Sequence, residues 1–201
     1  ILSYRKRKPD ISSESVRFIC LDFKEVDTLA LALQGVTTVV HLAWEQKTPE
    51  ENIRMTRNLI YACEKEGVEK IVFLSFLHTN AKAKDKKIKN KYVAEQLVLS
   101  SKIRIKSILR LPIVFSGEKE KDSLYRFIKK ISFLPYIYPV PESFLDLKFI
   151  FLPHLLDQLA EFIYRPNNAN AQIIAFTPES QTFASLIEKT SFEEEQQKKA
   201  C

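Results

Sequence analysis

Glycine is scarce in this chain, with only Gly35, Gly67 and Gly117 among 201 residues. Each falls at the end of an apolar stretch, where a helix stop or a turn calls for positive φ. None lies in a loop that could cradle a phosphate. Cysteine is equally rare. Cys20, Cys63 and Cys201 form no Cys-x-x-Cys pair, and an odd count argues against a disulfide framework. A reducing cytoplasm is therefore the expected compartment, with Cys20 and Cys63 as small core residues. The histidines, His41, His78 and His154, have no metal-ligand spacing, so no metal site is expected. No apolar run approaches the ~20 residues that cross a bilayer, and no signal peptide opens the chain, so no membrane partner is expected.

What is present fits a globular chain: 45% hydrophobic and 28% charged residues. The length allows one domain, or one with a small appendage. The net charge of +6 is modest and comes largely from two clusters, Arg5 to Lys8 and the lysines between Lys82 and Lys91. Such clusters on loops are ordinarily solvated surface, and no nucleic-acid partner is expected.

Short apolar runs alternate with amphipathic helical patterns, which predicts a doubly wound α/β fold with a parallel sheet covered on both faces. The strand candidates are residues 1–4, 16–20, 37–43, 70–76 and 105–111, dense in Val, Ile, Leu and Phe. Val26, Leu29, Ala30 and Leu33 make one helical stripe, closed by Gly35. Met55, Leu59, Ala62 and Cys63 make a second, closed by Gly67, and Ala94, Leu97 and Val98 lie on a third. The proline-containing stretch 132–144 changes the character of the chain. After it come a strand at 148–152, a helix face of Leu155, Leu159, Phe162 and Ile163, a strand at 171–176 and a last helix from about Gln181. The expected division is a nucleotide-binding core over residues 1–117 and a substrate-binding region over 118–201.

Several segments, in order, resemble the extended short-chain dehydrogenase/reductase family, which includes nucleotide-sugar epimerases and dehydratases. They are Asp22 after a strand, the helix ending at Gly35, His41-Leu42-Ala43 closing the next strand, and the asparagine-led helix with Asn52, Thr56, Asn58 and Leu59. Lys91 and Glu95 in "KYVAEQ" follow, then "ILRLPIVFSG" with Pro112. The resemblance implies a Rossmann-like fold. It also places the family's first strand and Gly-x-x-Gly-x-x-Gly turn upstream of Ile1, so a truncated chain with weak NADPH affinity is expected. It implies, too, an NAD(P)-dependent oxidoreductase or epimerase acting on a carbonyl or hydroxyl of a small molecule. The alternative is a nucleotide-binding protein of the same fold that works through partners without turnover.

NAD-selective folds place an acid at the end of the second strand, whereas a ribose phosphate needs Arg or Lys. Arg5, Lys6, Arg7 and Lys8 occupy that place with no acid before Asp10, so NADP is the favoured cofactor, with NAD as the alternative; a solvated basic loop explains the same residues. By resemblance Asp22 and Phe23 flank the adenine, although Asp22 can equally cap the next helix. Leu42, Ala43 and Trp44 line the cofactor, with Trp44 as simple packing the other reading, and Pro112 adds to the cofactor site. His41 is expected to pack under the sheet.

In the family a tyrosine protonates the substrate oxygen, a lysine four residues on lowers its pKa and holds the nicotinamide ribose, and a serine or threonine binds the oxygen. Here Lys91 and Ser75 match the lysine and the first serine. The tyrosine place holds Lys87, and Phe76 fills the second serine place. His78, Thr79 or Tyr125 could supply a proton instead. The lysines at 82, 84, 86, 87 and 89 fall in the connection before Lys91, where they would attract an anionic substrate or serve only as solvated surface.

Overall fold

The computed structural model describes residues 2–4, 14–45, 48–116, 149–164 and 171–175. The chain forms two compact units, one of residues 1–110 with 166–175, the other of residues 111–165 with 176–201.

The first unit is a parallel α/β assembly. Strand β1 (Leu2–Tyr4) pairs with β2 (Phe18–Cys20), Leu2 opposite Phe18. Helix α1 (Val26–Leu33) leads into β3 (Thr38–His41), and α2 (Pro49–Lys65) into β4 (Lys70–Phe76). Helix α3 (Lys86–Ser100) leads into β5 (Ile105–Leu111). A four-stranded sheet runs β3-β4-β5-β8, with β8 (Ala171–Ala175) contributed from far along the chain. Thr38 lies opposite Lys70 and Lys106 opposite Ala171. The pair β1-β2 forms a separate sheet, and among the described residues β3 pairs only with β4. Beside β3, a cavity of about 270 Å³ is lined by Leu21, Phe23 and Leu29 on one side and by residues 38–43 on the other.

The elements follow from the sequence pattern. Leu29, Ala30 and Leu33 of α1 are buried, as are Met55, Leu59, Ala62 and Cys63 of α2 and Ala94 and Val98 of α3. All of these but Met55 join Ile71, Phe73 and Ile108 of the central strands in one core. Gly35 and Gly67 take φ of 72° and 71°, as the helix stops require. Pro49 opens α2 at a position where its missing N–H costs nothing. Asp85 caps α3, its Oδ1 accepting from the Lys87 backbone N–H at 2.6 Å.

Several expectations need correction. Cys20 is exposed, because β2 lies outside the four-stranded sheet and its last residue faces solvent. Strand β8, expected at 171–176, alternates exposed and half-buried residues. Helix α3 begins at Lys86, so Lys86, Lys87 and Lys89 lie in its first turns and only Lys82 and Lys84 in the connection.

In the second unit, β6 (Ile113–Phe115) pairs parallel with β7 (Phe149–Phe151), Ile113 opposite Phe149. Helix α4 (Leu152–Tyr164) follows, with Leu155 buried. Residue Gly117, the stretch 132–144 and the helix expected from Gln181 lie outside the described residues. No described helix is long and apolar enough to cross a membrane.

Candidate functional site

The chemistry-bearing side chains of the first unit gather where β3 and β4 end. A parallel strand releases its chain at its C-terminal edge, where side chains and backbone become free to meet a ligand. Here β3 ends at His41, and Leu42, Ala43 and Trp44 follow as irregular chain, Leu42 being 59% exposed. Asn52, on the first turns of α2, fixes that segment. Its Oδ1 accepts from the Glu45 backbone N–H at 2.6 Å, and its Nδ2 donates to the carbonyls of Glu45 at 2.7 Å and Pro49 at 3.1 Å. Asn58, further along α2, donates to the Phe23 carbonyl at 2.9 Å and holds the turn after β2 in the same way. The two asparagines were legible as motif members, but their work as loop clamps appears only in three dimensions.

Lys91 is the centre of the site. It projects from α3 toward β4 and is only 4% exposed. Its Nζ lies 3.9 Å from the centroid of the Trp44 ring, 4.4 Å from Phe73 and 5.3 Å from Phe76. Trp44 and Phe76 meet edge to face at 6.3 Å. The ring faces attract the ammonium, but burial removes its water, and the Lys91 pKa falls to about 7, the Glu95 carboxylate opposing the fall. Lys91 forms no ion pair among the described residues, because the carboxylate one turn along is committed elsewhere. Glu95 is fully buried and bidentate to Arg110 of β5, with Nε to Oε1 at 3.0 Å and Nη2 to Oε2 at 2.7 Å.

Ser75 is buried on β4, on the same strand face as Phe73. Its Oγ lies 3.1 Å from the Oγ1 of Thr79, also buried. The pair forms a hydroxyl couple in place of the serine pair that Phe76 interrupts. His41 sits between Phe23 and Phe73, ring centroids at 5.7 and 5.5 Å. Burial, and then the Lys91 charge, hold its pKa down to about 3, so the imidazole is neutral. It packs under the sheet, as the sequence implied.

The remaining candidates are dispersed. Asp22 and Phe23, with Lys24, Thr48, Glu51 and Met55, line a cavity of about 160 Å³. Asp22 Oδ1 accepts from the Lys24 N–H at 3.0 Å, a local turn bond. Pro112 is buried in the second unit. Lys87 and His78 are exposed, as are Lys82, Lys84, Lys86 and Lys89. Arg5, Lys6, Arg7 and Tyr125 lie outside the described residues. Phe73 escaped notice in the sequence, where it read as one more apolar strand residue; only its partner across the helix–sheet contact gives it a role.

A family model described as NAD(P)H-binding matches residues 4–117. Solved structures share the fold. MoeE5 in complex with UDP-glucuronic acid and NAD is 20% identical, with a TM-score of 0.72, covering 92% of this chain and 71% of that one. A nucleoside-diphosphate-sugar epimerase from Staphylococcus aureus is 19% identical, with a TM-score of 0.75 and coverage of 94% and 66%. UDP-N-acetylglucosamine 4-epimerase from Bacillus cereus is 16% identical, with a TM-score of 0.64 and coverage of 89% and 72%. No curated relative matches.

Proposed function

Since this chain belongs to the NAD(P)H-binding family, we propose that it serves an NAD(P)-dependent oxidoreductase or epimerase acting on a carbonyl or hydroxyl of a small molecule. The observation that carries this reading is Lys91, a buried cation with ring faces around it and no carboxylate paired to it among the described residues. Such a group suits neutral hydroxyl acceptors, and the ribose of a nicotinamide dinucleotide offers them. When bound, that cofactor supplies or accepts a hydride.

The chain's own residues would divide the remaining work. Lys91 would orient the nicotinamide ribose, and Ser75 with Thr79 would hold the substrate oxygen. Leu42, Ala43 and Trp44 would wall the cofactor at the strand edge, while Asp22 and Phe23 would border the adenine. Arg5, Lys6 and Arg7 favour NADP over NAD, because a ribose phosphate needs cationic donors.

The substrate class we favour is an anionic one, a nucleotide sugar in particular. Two of the similar structures carry sugar-nucleotide names, and MoeE5 holds UDP-glucuronic acid. On this chain, Lys82, Lys84, Lys86, Lys87 and Lys89 are exposed around the start of α3, whose first turn has no acid. Their field favours a diphosphate.

Lys87 in the tyrosine place, exposed, and Phe76 in the serine place favour a second reading, nucleotide binding without turnover. Titration of NADPH and NADH by fluorescence, followed by turnover assays with nucleotide sugars and simple carbonyl compounds, separates the two. Saturable NADPH binding with hydride transfer supports the enzyme; tight binding with no transfer to any compound supports the second reading. No binding of either dinucleotide overturns both.

A further inference from the structure

We propose that Trp44 is an autoinhibitory cover on Lys91, a ring that must turn off the ammonium before a ligand oxygen can reach it. The inference rests on the reading that Lys91 meets the hydroxyls of a bound dinucleotide. Lys91 Nζ lies over the Trp44 ring at 3.9 Å from its centroid, with Phe73 at 4.4 Å and Phe76 at 5.3 Å, and the residue is only 4% exposed. An N–H···O bond needs its oxygen about 2.7–3.2 Å from the nitrogen. With the indole centroid at 3.9 Å, no oxygen fits between Nζ and that ring. On that side the ammonium meets a ring face and nothing else.

Of the three rings, only Trp44 is placed to uncover the lysine. Phe73 is wholly buried in the middle of β4 and belongs to the core that joins the helices to the sheet. Phe76 closes β4 and lies farthest from Nζ, so its departure alone leaves the ammonium under the other two rings. Trp44 is half-buried on irregular chain beyond β3, which ends at His41. Asn52 pins its neighbour Glu45 through both the N–H and the carbonyl. The backbone therefore stays in place, and the movement is a rotation of the indole between staggered side-chain torsions.

Two contacts hold the ring where it is. The indole face attracts the ammonium, and its edge-to-face contact with Phe76, at 6.3 Å, fixes its tilt. Glu95, the carboxylate one turn along α3, does not compete for the ammonium, because both of its oxygens face Arg110. A cation over a ring face corresponds to roughly a 2- to 30-fold preference for the covered state. A ligand that binds only the uncovered state associates more slowly by that same factor. Removing the ring removes the penalty.

The test reads access to Lys91 directly. Reductive methylation with formaldehyde and a borohydride, followed by peptide mass spectrometry, gives the labelling rate of each lysine in the ligand-free protein. In the parent, Lys91 should label far more slowly than exposed Lys87. In Trp44→Ala its rate should rise toward that of Lys87, while Lys70, 6% exposed on β4, stays slow and shows that the sheet is intact. If Lys70 opens as well, Trp44→Leu, which keeps an apolar side chain without an indole face, takes its place with the same expectation. Stopped-flow mixing with NADPH, followed by the fluorescence of the dinucleotide, then gives association rates. Uncovering Lys91 should speed association by roughly 2- to 30-fold, whereas loss of a ring that merely walls the cofactor changes dissociation. Lys91 labelling as fast as Lys87 in the parent, labelling as slowly in the variants as in the parent, or association no faster once Lys91 is open would overturn the proposal. Absence of NADPH binding by parent and variants alike removes the dinucleotide reading instead, and the labelling rates still decide whether Trp44 is the cover.

Discussion

Arg110→Met tests the packing that supports the site. Glu95 is fully buried, and the guanidinium of Arg110, 22% exposed, meets both of its oxygens. Removing the arginine strands a carboxylate in the core between α3 and β5. Breaking a buried pair from one side costs about 3–5 kcal/mol. For a chain of this size, 1 kcal/mol moves the melting temperature by roughly 2–4 °C, so the variant should melt about 6–20 °C lower. The double variant Glu95→Met, Arg110→Met removes both charges and fills the space with apolar atoms. It should recover most of the loss, because replacing such a pair by packed hydrophobes is often neutral. Thermal unfolding followed by circular dichroism on parent, both single variants and the double variant gives the coupling directly. If Arg110→Met melts within about 3 °C of the parent, or the double variant is as unstable as the two singles added together, the buried pair does not hold α3 against β5 as described.

Other consequences follow from named contacts. His41 has its pKa depressed to about 3, below the ordinary value of about 6.5. The unfolded chain therefore binds more protons between those values, and stability present above pH ~6.5 should fall as the pH drops toward ~3, by up to about 1.4 kcal/mol per pH unit. His41→Phe should flatten that slope in acid-titrated urea melts, and an unchanged slope counts against a buried neutral imidazole. Lys91 is lowered to about 7 from an ordinary value near 10.4. The unfolded chain again binds more protons across that window, so Lys91 makes stability rise from pH ~7 to ~10, and Lys91→Met should remove the rise. Asp85→Ala deletes the cap on α3 and should cost about 1 kcal/mol in chemical denaturation, with Asp85→Asn close to neutral. Asn52→Ala frees the Glu45 backbone groups; it should weaken NADPH binding by fluorescence titration while Trp44 emission shifts to the red, and unaltered emission would show that Asn52 does not position the segment.

The apolar stripes of α1 and α2 and the dense strands around Val39, Ile71 and Ile108 were readable because burial on both faces of a parallel sheet demands a near-continuous run of hydrophobic residues. The glycine stops at Gly35 and Gly67 were readable for an equally local reason, the positive φ that ends a helix. Lys91, Glu95, Ser75, Asn52 and Asn58 could be named from the family resemblance of their segments. Their work could not. Phe73 as a wall of the lysine cage and Arg110 as the partner of Glu95 depend on where α3 settles against β4 and β5, a separation of fifteen residues for the ion pair, while Thr79 meets Ser75 through the turn that follows β4. The place of β8 beside β5 joins residues some sixty positions apart, Lys106 opposite Ala171. Local patterns report what each segment can bury, and so the chain alone determined the kinds of element and the α/β class. Which polar groups share one buried environment is set by packing between elements, and only the folded chain decided that Lys91 would lose its water and sit among three rings.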